Sequence, residues 1–157
     1  MNAPGGEREI RFARPDDLPS IVSLLGELFA IEEDFLPDPA RQRRGAELIL
    51  GNPEVGRILV CETGGRVAGM VSLLFTVSTA EGAPAAWLED LVVEPASRGR
   101  GMGRELLETA MRFAETKGLA RITLLVDRTN EGAKRFYRRQ GFRESAMLPM
   151  RRTVPQG

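Results

Sequence analysis

The chain has 157 residues, with 22 Lys+Arg against 22 Asp+Glu, no histidine and one cysteine. A formal charge of zero gives no general pull toward nucleic acid or an anionic membrane, and the missing histidine removes every Ser-His and Cys-His mechanism. Hydrophobic content of 42% and charged content of 28% are ordinary for a globular enzyme domain. Residues 1–157 are therefore expected to form one domain, with 1–7 and 150–157 as flexible ends.

In chain order, Glu9 to Ala13 reads as a short first strand. Pro15-Asp16-Asp17 opens a helix that carries Leu18, Ile21, Val22, Leu25, Leu28 and Phe29 at helical spacing. Pro37-Asp38-Pro39 breaks the chain. Asp38 as N-cap and Pro39 at the first helical position start a second helix, which Gly51-Asn52-Pro53 ends. The β-rich runs Arg57 to Thr63 and Arg66 to Thr76 flank Gly64-Gly65, a hairpin signal. Cys61 falls mid-strand, is expected in the core and cannot form an internal disulfide. A loop around Glu81 to Pro84 leads to the strand that ends at Val93. The helix from Glu105 to Lys117 should bury Leu106, Leu107, Ala110, Met111 and Ala114 and stop at Gly118. Arg121 to Val126 is a strand, Asn130 caps a further helix, and Phe142 to Met147 reads as a last strand. The order is β-α-α-β-β-β-α-β-α-β. No apolar run reaches membrane-spanning length, and Met1 to Gly6 lacks the apolar segment of a signal peptide. A cytoplasmic protein is expected, with no metal site.

The segment Leu91-Val92-Val93-Glu94-Pro95-Ala96-Ser97-Arg98-Gly99-Arg100-Gly101-Met102-Gly103-Arg104 carries the most chemical information. An apolar strand stops at a proline, three alternating glycines follow, and a helix opens. Glycines let successive N–H groups point into one concavity, and a helix N-terminus adds positive potential, so this loop is suited to a phosphate. No Gly-Lys-Ser/Thr occurs, which excludes a Walker A loop. The dinucleotide fingerprint fails because Arg104 or Leu106 stands where its third glycine belongs. A second segment, Asn130-Glu131-Gly132-Ala133-Lys134-Arg135-Phe136-Tyr137-Arg138-Arg139-Gln140-Gly141-Phe142, joins an N-cap to a glycine helix stop.

Arg98-x-x-Gly101-x-Gly103 after Leu-Val-Val resembles the pyrophosphate loop of the GNAT superfamily of acyl-CoA N-acyltransferases, and the Asn130 to Phe142 segment resembles that family's later Asn…Phe-Tyr helix. The likeness covers roughly residues 57 to 148. It implies an α/β fold, a mixed, mainly antiparallel sheet with helices on both faces and a splayed cofactor-binding cleft. It also implies an N-acetyltransferase that moves the acetyl group of acetyl-CoA to a primary amine, on a small molecule or a peptide, by direct attack in a ternary complex. The alternative is a non-catalytic acyl-CoA-binding sensor or interaction module on the same fold. Neither nucleic acid nor membrane is expected as a partner; self-association to a homodimer is left open.

The resemblance also suggests site residues. Backbone N–H groups around Leu91, Val92 and Val93 would contact the pantetheine arm and polarise the acetyl carbonyl. Arg98, Gly99, Arg100, Gly101, Met102, Gly103 and Arg104 would hold the pyrophosphate. Asn130 either contacts the cofactor arm or simply caps its helix. Tyr137, the only tyrosine, stands where the family places its general acid; the other reading packs it beside Phe136. Glu89 is either the amine's base or structural. Glu32, Glu33 and Asp34 lie where the family borders its acceptor site; they either steer a cationic amine or form solvated helix-end surface. Cys61 has nothing to activate it as a nucleophile.

Overall fold

A computed structural model describes residues 7–32 and 34–157, which divide into two compact units, one ending at Leu125 and the other running from Val126 to Gly157. The first holds a five-stranded sheet in the order β1 (Glu9–Phe12), β2 (Gly56–Thr63), β3 (Arg66–Ser78), β4 (Ala83–Val93) and β5 (Ile122–Leu124). The first four strands pair antiparallel, and β5 runs parallel to β4. This is the mixed, mainly antiparallel sheet expected from the sequence.

Helices α1 (Leu18–Phe29) and α2 (Pro39–Leu50) cover one face. Leu18, Ile21, Leu24 and Leu25 of α1 and Ala46 of α2 form one buried cluster with Ile58, Val60, Met70 and Val92. The α2 start follows its sequence signal: Asp38 Oδ1 accepts from Arg41 N–H at 3.2 Å, with Pro39 at the first position. Helix α3 (Met102–Lys117) lies on the opposite face, because successive strand residues alternate sides. Met70 belongs to the α1/α2 cluster, whereas a Cβ added at Gly69 would meet Leu106 Cδ1 and Met102 Sδ, each at 3.0 Å. Gly69 thus lets the first turn of α3 sit directly on β3, which fixes the height of the loop before it.

Behind β1 the Arg11 guanidinium forks onto Asp17, at 2.7 and 3.0 Å, and onto Glu62 Oε2, at 2.8 and 3.1 Å. Arg11 and Asp17 keep only 13% and 10% of their side-chain surface exposed. The guanidinium holds the Asp17 carboxyl below its ordinary value, chiefly through these hydrogen bonds.

The structure corrects four sequence expectations in this region and beyond. Helix α3 begins at Met102, three residues before the expected Glu105, because Gly101 itself serves as N-cap. Met111 is 42% exposed; Leu107, Ala110 and Ala114 take the buried stripe and leave it at the margin. Strand β5 is three residues long, not the six from Arg121 to Val126, because it pairs with β4 only at Ala86, Trp87 and Leu88.

The fourth correction concerns the second unit, which holds α4 (Glu131–Arg139) and no strand among its described residues. The strand expected over Phe142 to Met147 is absent. Met147 N–H instead bonds back to Ser145 Oγ at 3.1 Å, and Met147 and Leu148 are exposed. A local turn takes the backbone that a ladder would have used.

Candidate active site

Strand β4 changes phase in its middle. Across from it, Ser72 pairs with Asp90 and Leu73 with Leu88, so Glu89 is an extra residue and the strand carries a bulge. Simple alternation would put Glu89 with Leu91 and Asp90 with Leu88; the bulge instead leaves Leu88 and Leu91 on the α3 side. Asp90 joins Val92 and Ser72 on the α1/α2 side.

The backbone changes phase as well. Before the bulge, Ala86 N–H points away from β3 and bonds Arg121 O at 3.0 Å; after it, Glu94 N–H bonds Ala68 O on β3 at 2.8 Å. Counting back in twos, Val92 faces β3, and Leu91 and Val93 turn their backbone groups to the outer edge. Arg98 Nε, donating to Val93 O at 2.9 Å from that side, agrees with this. The β5 ladder ends at Leu88 with Leu124, and among the described residues no strand pairs with Glu89 to Val93 on that edge. β4 and β5 therefore part company midway, leaving a stretch of strand edge able to pair with an extended ligand.

At the end of this edge, Pro95–Ser97 makes one 3₁₀ turn before the glycine loop. Gly99 and Gly101 have φ of +77° and +79°, left-handed values that a side chain opposes. A Cβ at either would meet nothing within 4 Å, so the space above the loop is open. Gly101 caps α3 without a side-chain bond, and the helix's first N–H groups have no intrahelical acceptor. Arg100 and Arg104 are exposed here, and Arg104 also approaches Glu108 at 3.6 Å. Met102 and Gly103 contribute backbone only, since the Met102 side chain is core. These features suit an anionic phosphate group.

On the α1/α2 side of the bulge lies a cluster that the sequence did not single out. Ser72 is fully buried; its Oγ donates to Asp90 Oδ2 at 3.0 Å and accepts from Asp90 N–H at 3.1 Å. Asp90 Oδ1 has no hydrogen bond among the described residues and is not sealed from solvent. Burial pushes the Asp90 carboxyl up to about 7, the Ser72 hydrogen bond opposes this, and the charges of Glu89 and Glu32 add to it. Glu89 itself is exposed. Of the three acids after α1, Glu32 therefore acts on this cluster, Asp34 is exposed beside it in the chain, and Glu33 lies outside the described residues.

In the second unit, Asn130 Oδ1 accepts from Ala133 N–H at 3.0 Å and caps α4. At the other end, Phe142 N–H bonds Tyr137 O and Gly141 N–H bonds Arg138 O, both at 3.0 Å, with Gly141 at φ +91°. This is a Schellman stop, and its apolar contact is the Tyr137–Phe142 ring pair at 5.7 Å. Phe136 closes the other side of Tyr137 at 5.2 Å. The helix terminus therefore fixes the ring of Tyr137. Among the described residues no group of acids, cysteine and histidine could hold a metal, and no helix is long and apolar enough to cross a membrane.

The family model described as acetyltransferase (GNAT) family matches residues 19–142. The chain belongs to the GNAT acetyltransferase family. Acetyl transfer is accordingly its class of reaction, and the protein is an acyltransferase. It is similar to an uncharacterized N-acetyltransferase of Archaeoglobus fulgidus, 31% identical over 86% of this chain and 92% of the relative. It is equally similar, at 31% over 87% of this chain and 86% of the relative, to the aminoalkylphosphonate N-acetyltransferase of Salmonella typhimurium. In fold it is similar to an aminoglycoside N-acetyltransferase solved in complex with CoA, with a TM-score of 0.81, 18% identity, and 98% and 99% of the two chains covered.

In this GNAT protein the bulge brings Asp90, Ser72, Glu89 and Glu32 within mutual influence and turns the Leu91 and Val93 amides to the edge that leads to the glycine loop. Val92 takes no part there, since its backbone faces β3 and its side chain is in the core. Asp90 is the residue that sequence reasoning missed. Its signal was the acidic doublet Glu89-Asp90 inside an apolar strand, which breaks the alternation a regular strand would keep. Cys61 is buried as expected, and burial raises its thiol further above neutrality, which keeps it protonated and inert.

Proposed function

We propose that this GNAT acyltransferase moves the acetyl group of acetyl-CoA to a primary amine by direct attack in a ternary complex. The observation that carries the reading is the unpaired outer edge of β4 running into a left-handed glycine loop at a helix N-terminus. In this reading, amides of Gly99 to Arg104 hold the pyrophosphate, with Arg100 and Arg104 adding charge-assisted bonds. The Leu91 and Val93 N–H groups bind the pantetheine arm and polarise the thioester carbonyl where negative charge develops. Asn130 orients the arm in addition to capping α4. Tyr137 gives its phenolic proton to the departing sulfur; a phenol near ~10 is protonated at neutral pH and can protonate the thiolate of a thiol near ~8.5. A carboxylate of the β4 bulge takes the amine's proton. Glu32, with Glu33 and Asp34, draws a cationic amine to that end of the sheet. The amine of an aminoalkylphosphonate, named for one relative, is a fair model of such an acceptor.

Two measurements test this. Saturating CoA must raise the melting temperature, as any ligand confined to the folded state does, and Gly101→Val must abolish that rise by placing a branched side chain at φ +79°. Thiol release from acetyl-CoA, stimulated by amines and lowered ~10²–10⁴-fold in kcat by Tyr137→Phe, then establishes transfer. CoA binding without amine-stimulated release from any of a panel of polyamines, aminoglycosides, amino acids, aminophosphonates and peptides would make the protein a sensor instead.

A further inference from the structure

The reading above leaves the base open between two adjacent carboxylates, and the bulge distinguishes them. Glu89 is the extra residue: it is exposed, has no ladder partner, and its side chain makes no hydrogen bond among the described residues. Asp90 is pinned at both ends of its short side chain. Its own N–H and its Oδ2 both bond the hydroxyl of Ser72, which is itself fully buried, so one carboxylate oxygen is locked, while Oδ1 has no hydrogen bond among the described residues and is not sealed from solvent. A base must hold one lone pair in a fixed place within reach of solvent-borne substrate. Only Asp90 does so. We propose that Asp90 is the catalytic base that takes the acceptor's proton, through Oδ1, and that Ser72 is its positioning residue. This rests on the acetyl-transfer reading and goes beyond it by naming the proton's destination.

The ammonium of the acceptor gives one proton to Asp90 Oδ1, and the freed nitrogen lone pair forms the C–N bond to the thioester carbon. Collapse breaks the C–S bond, and the proton that nitrogen then sheds ends on the departing sulfur. Asp90 returns its proton to water, so one proton is released per turnover. A carboxyl held up to about 7 can both accept and release that proton near neutral pH. The charges that act on it are Glu89 on its own strand and Glu32 beyond α1, with the Ser72 hydroxyl from β3 opposing them.

The test follows the pH dependence of kcat/KM for CoA thiol release, with spermidine and 2-aminoethylphosphonate as probe acceptors, in wild type and in Asp90→Asn, Glu89→Gln and Ser72→Ala. Carbon-13 NMR of the aspartate carboxyls tracks Asp90 directly, and the CoA-induced melting shift reports that each variant is folded. The expected wild-type profile has a rising limb whose midpoint matches the Asp90 titration with both probes. Asp90→Asn should lose that limb and ~10²–10⁴-fold in rate. Ser72→Ala should move the limb to higher pH, since it removes the bond that favours the charged form, and Glu89→Gln should move it slightly lower. Should Asp90→Asn fail to fold, these two opposite displacements carry the test. The assignment is overturned if Asp90→Asn stays within about threefold of wild type with the limb intact, or if the limb vanishes in Glu89→Gln or stays put in Ser72→Ala. Those outcomes would leave acetyl transfer standing. Absence of thiol release from a CoA-binding wild-type protein with either probe or the wider amine panel would instead remove the reading beneath it.

Discussion

Two half-buried to buried aspartates on the same sheet-bearing unit are driven in opposite directions. Asp17 is 8% exposed and lies in the fork of Arg11, whose hydrogen bonds hold it ionised below its ordinary value. Asp90 is also withdrawn from water, but its nearest partner is a neutral serine and its nearest charges are negative, so it rises to about 7. Burial is common to both; the sign is set by what the burial brings with it. A carboxylate with a cation in its face is spent on holding β1, the start of α1 and β2 together. One with only a hydroxyl stays able to change its protonation state near neutrality.

The largest effect should come from breaking the first site. Arg11→Met leaves Asp17 and Glu62 without their cation, and a loss of ~3–5 kcal/mol is expected by urea unfolding at pH 7. The variant should also be less sensitive to acid. In wild type the Asp17 contribution is fully present above the unfolded carboxyl value near ~4 and is lost as pH falls through its lower folded value. A variant curve as steep as wild type below pH 4 would show that Asp17 is not the group responsible.

At the second site the sign reverses. Asp90 binds its proton more tightly folded than unfolded, so its ionisation weakens the fold as pH rises from about 4 to about 7 and costs a constant amount above that. That span has a ceiling of ~4 kcal/mol, and the access of Oδ1 to water brings the expectation to ~1–3 kcal/mol. Asp90→Asn should therefore be more stable than wild type at pH 8 and indistinguishable from it at pH 3.5, while losing activity. Equal stability at both pH values would mean that the carboxyl is not strained by its surroundings. Smallest of all, Glu89→Gln should change stability by less than ~0.5 kcal/mol at any pH, as for other exposed side chains.

What was legible in the sequence was what its own neighbours decide. Asp38 before Pro39, Asn130 three residues before Ala133, and Gly118 and Gly141 as left-handed stops are each settled within one turn of chain, and each stands where it was read. The glycine turn that opens α3 was legible for the same reason. The bulge was not, because a register is a relation between two strands and Glu89 is supernumerary only against Ser72 on β3. The behaviour of Asp90 follows from that register and from Glu32, some sixty residues away in sequence, so no local pattern could state it. The strand expected after Phe142 failed in the converse way: its residues suited a strand, but a strand also needs a neighbour.

The extra residue at Glu89 also divides β4 into two reading frames. Upstream, even-numbered side chains face α3; downstream, odd-numbered ones do. Spin labels at Trp87 and Leu91, an even number of residues apart, should therefore report opposite faces of the sheet, whereas labels at Leu88 and Leu91, an odd number apart, should share one. Deleting Glu89 would restore a single frame without altering any other side chain. Side-chain face and amide direction alternate together, so the Leu91 and Val93 amides would still point to the outer edge, and only the bulge itself would be lost.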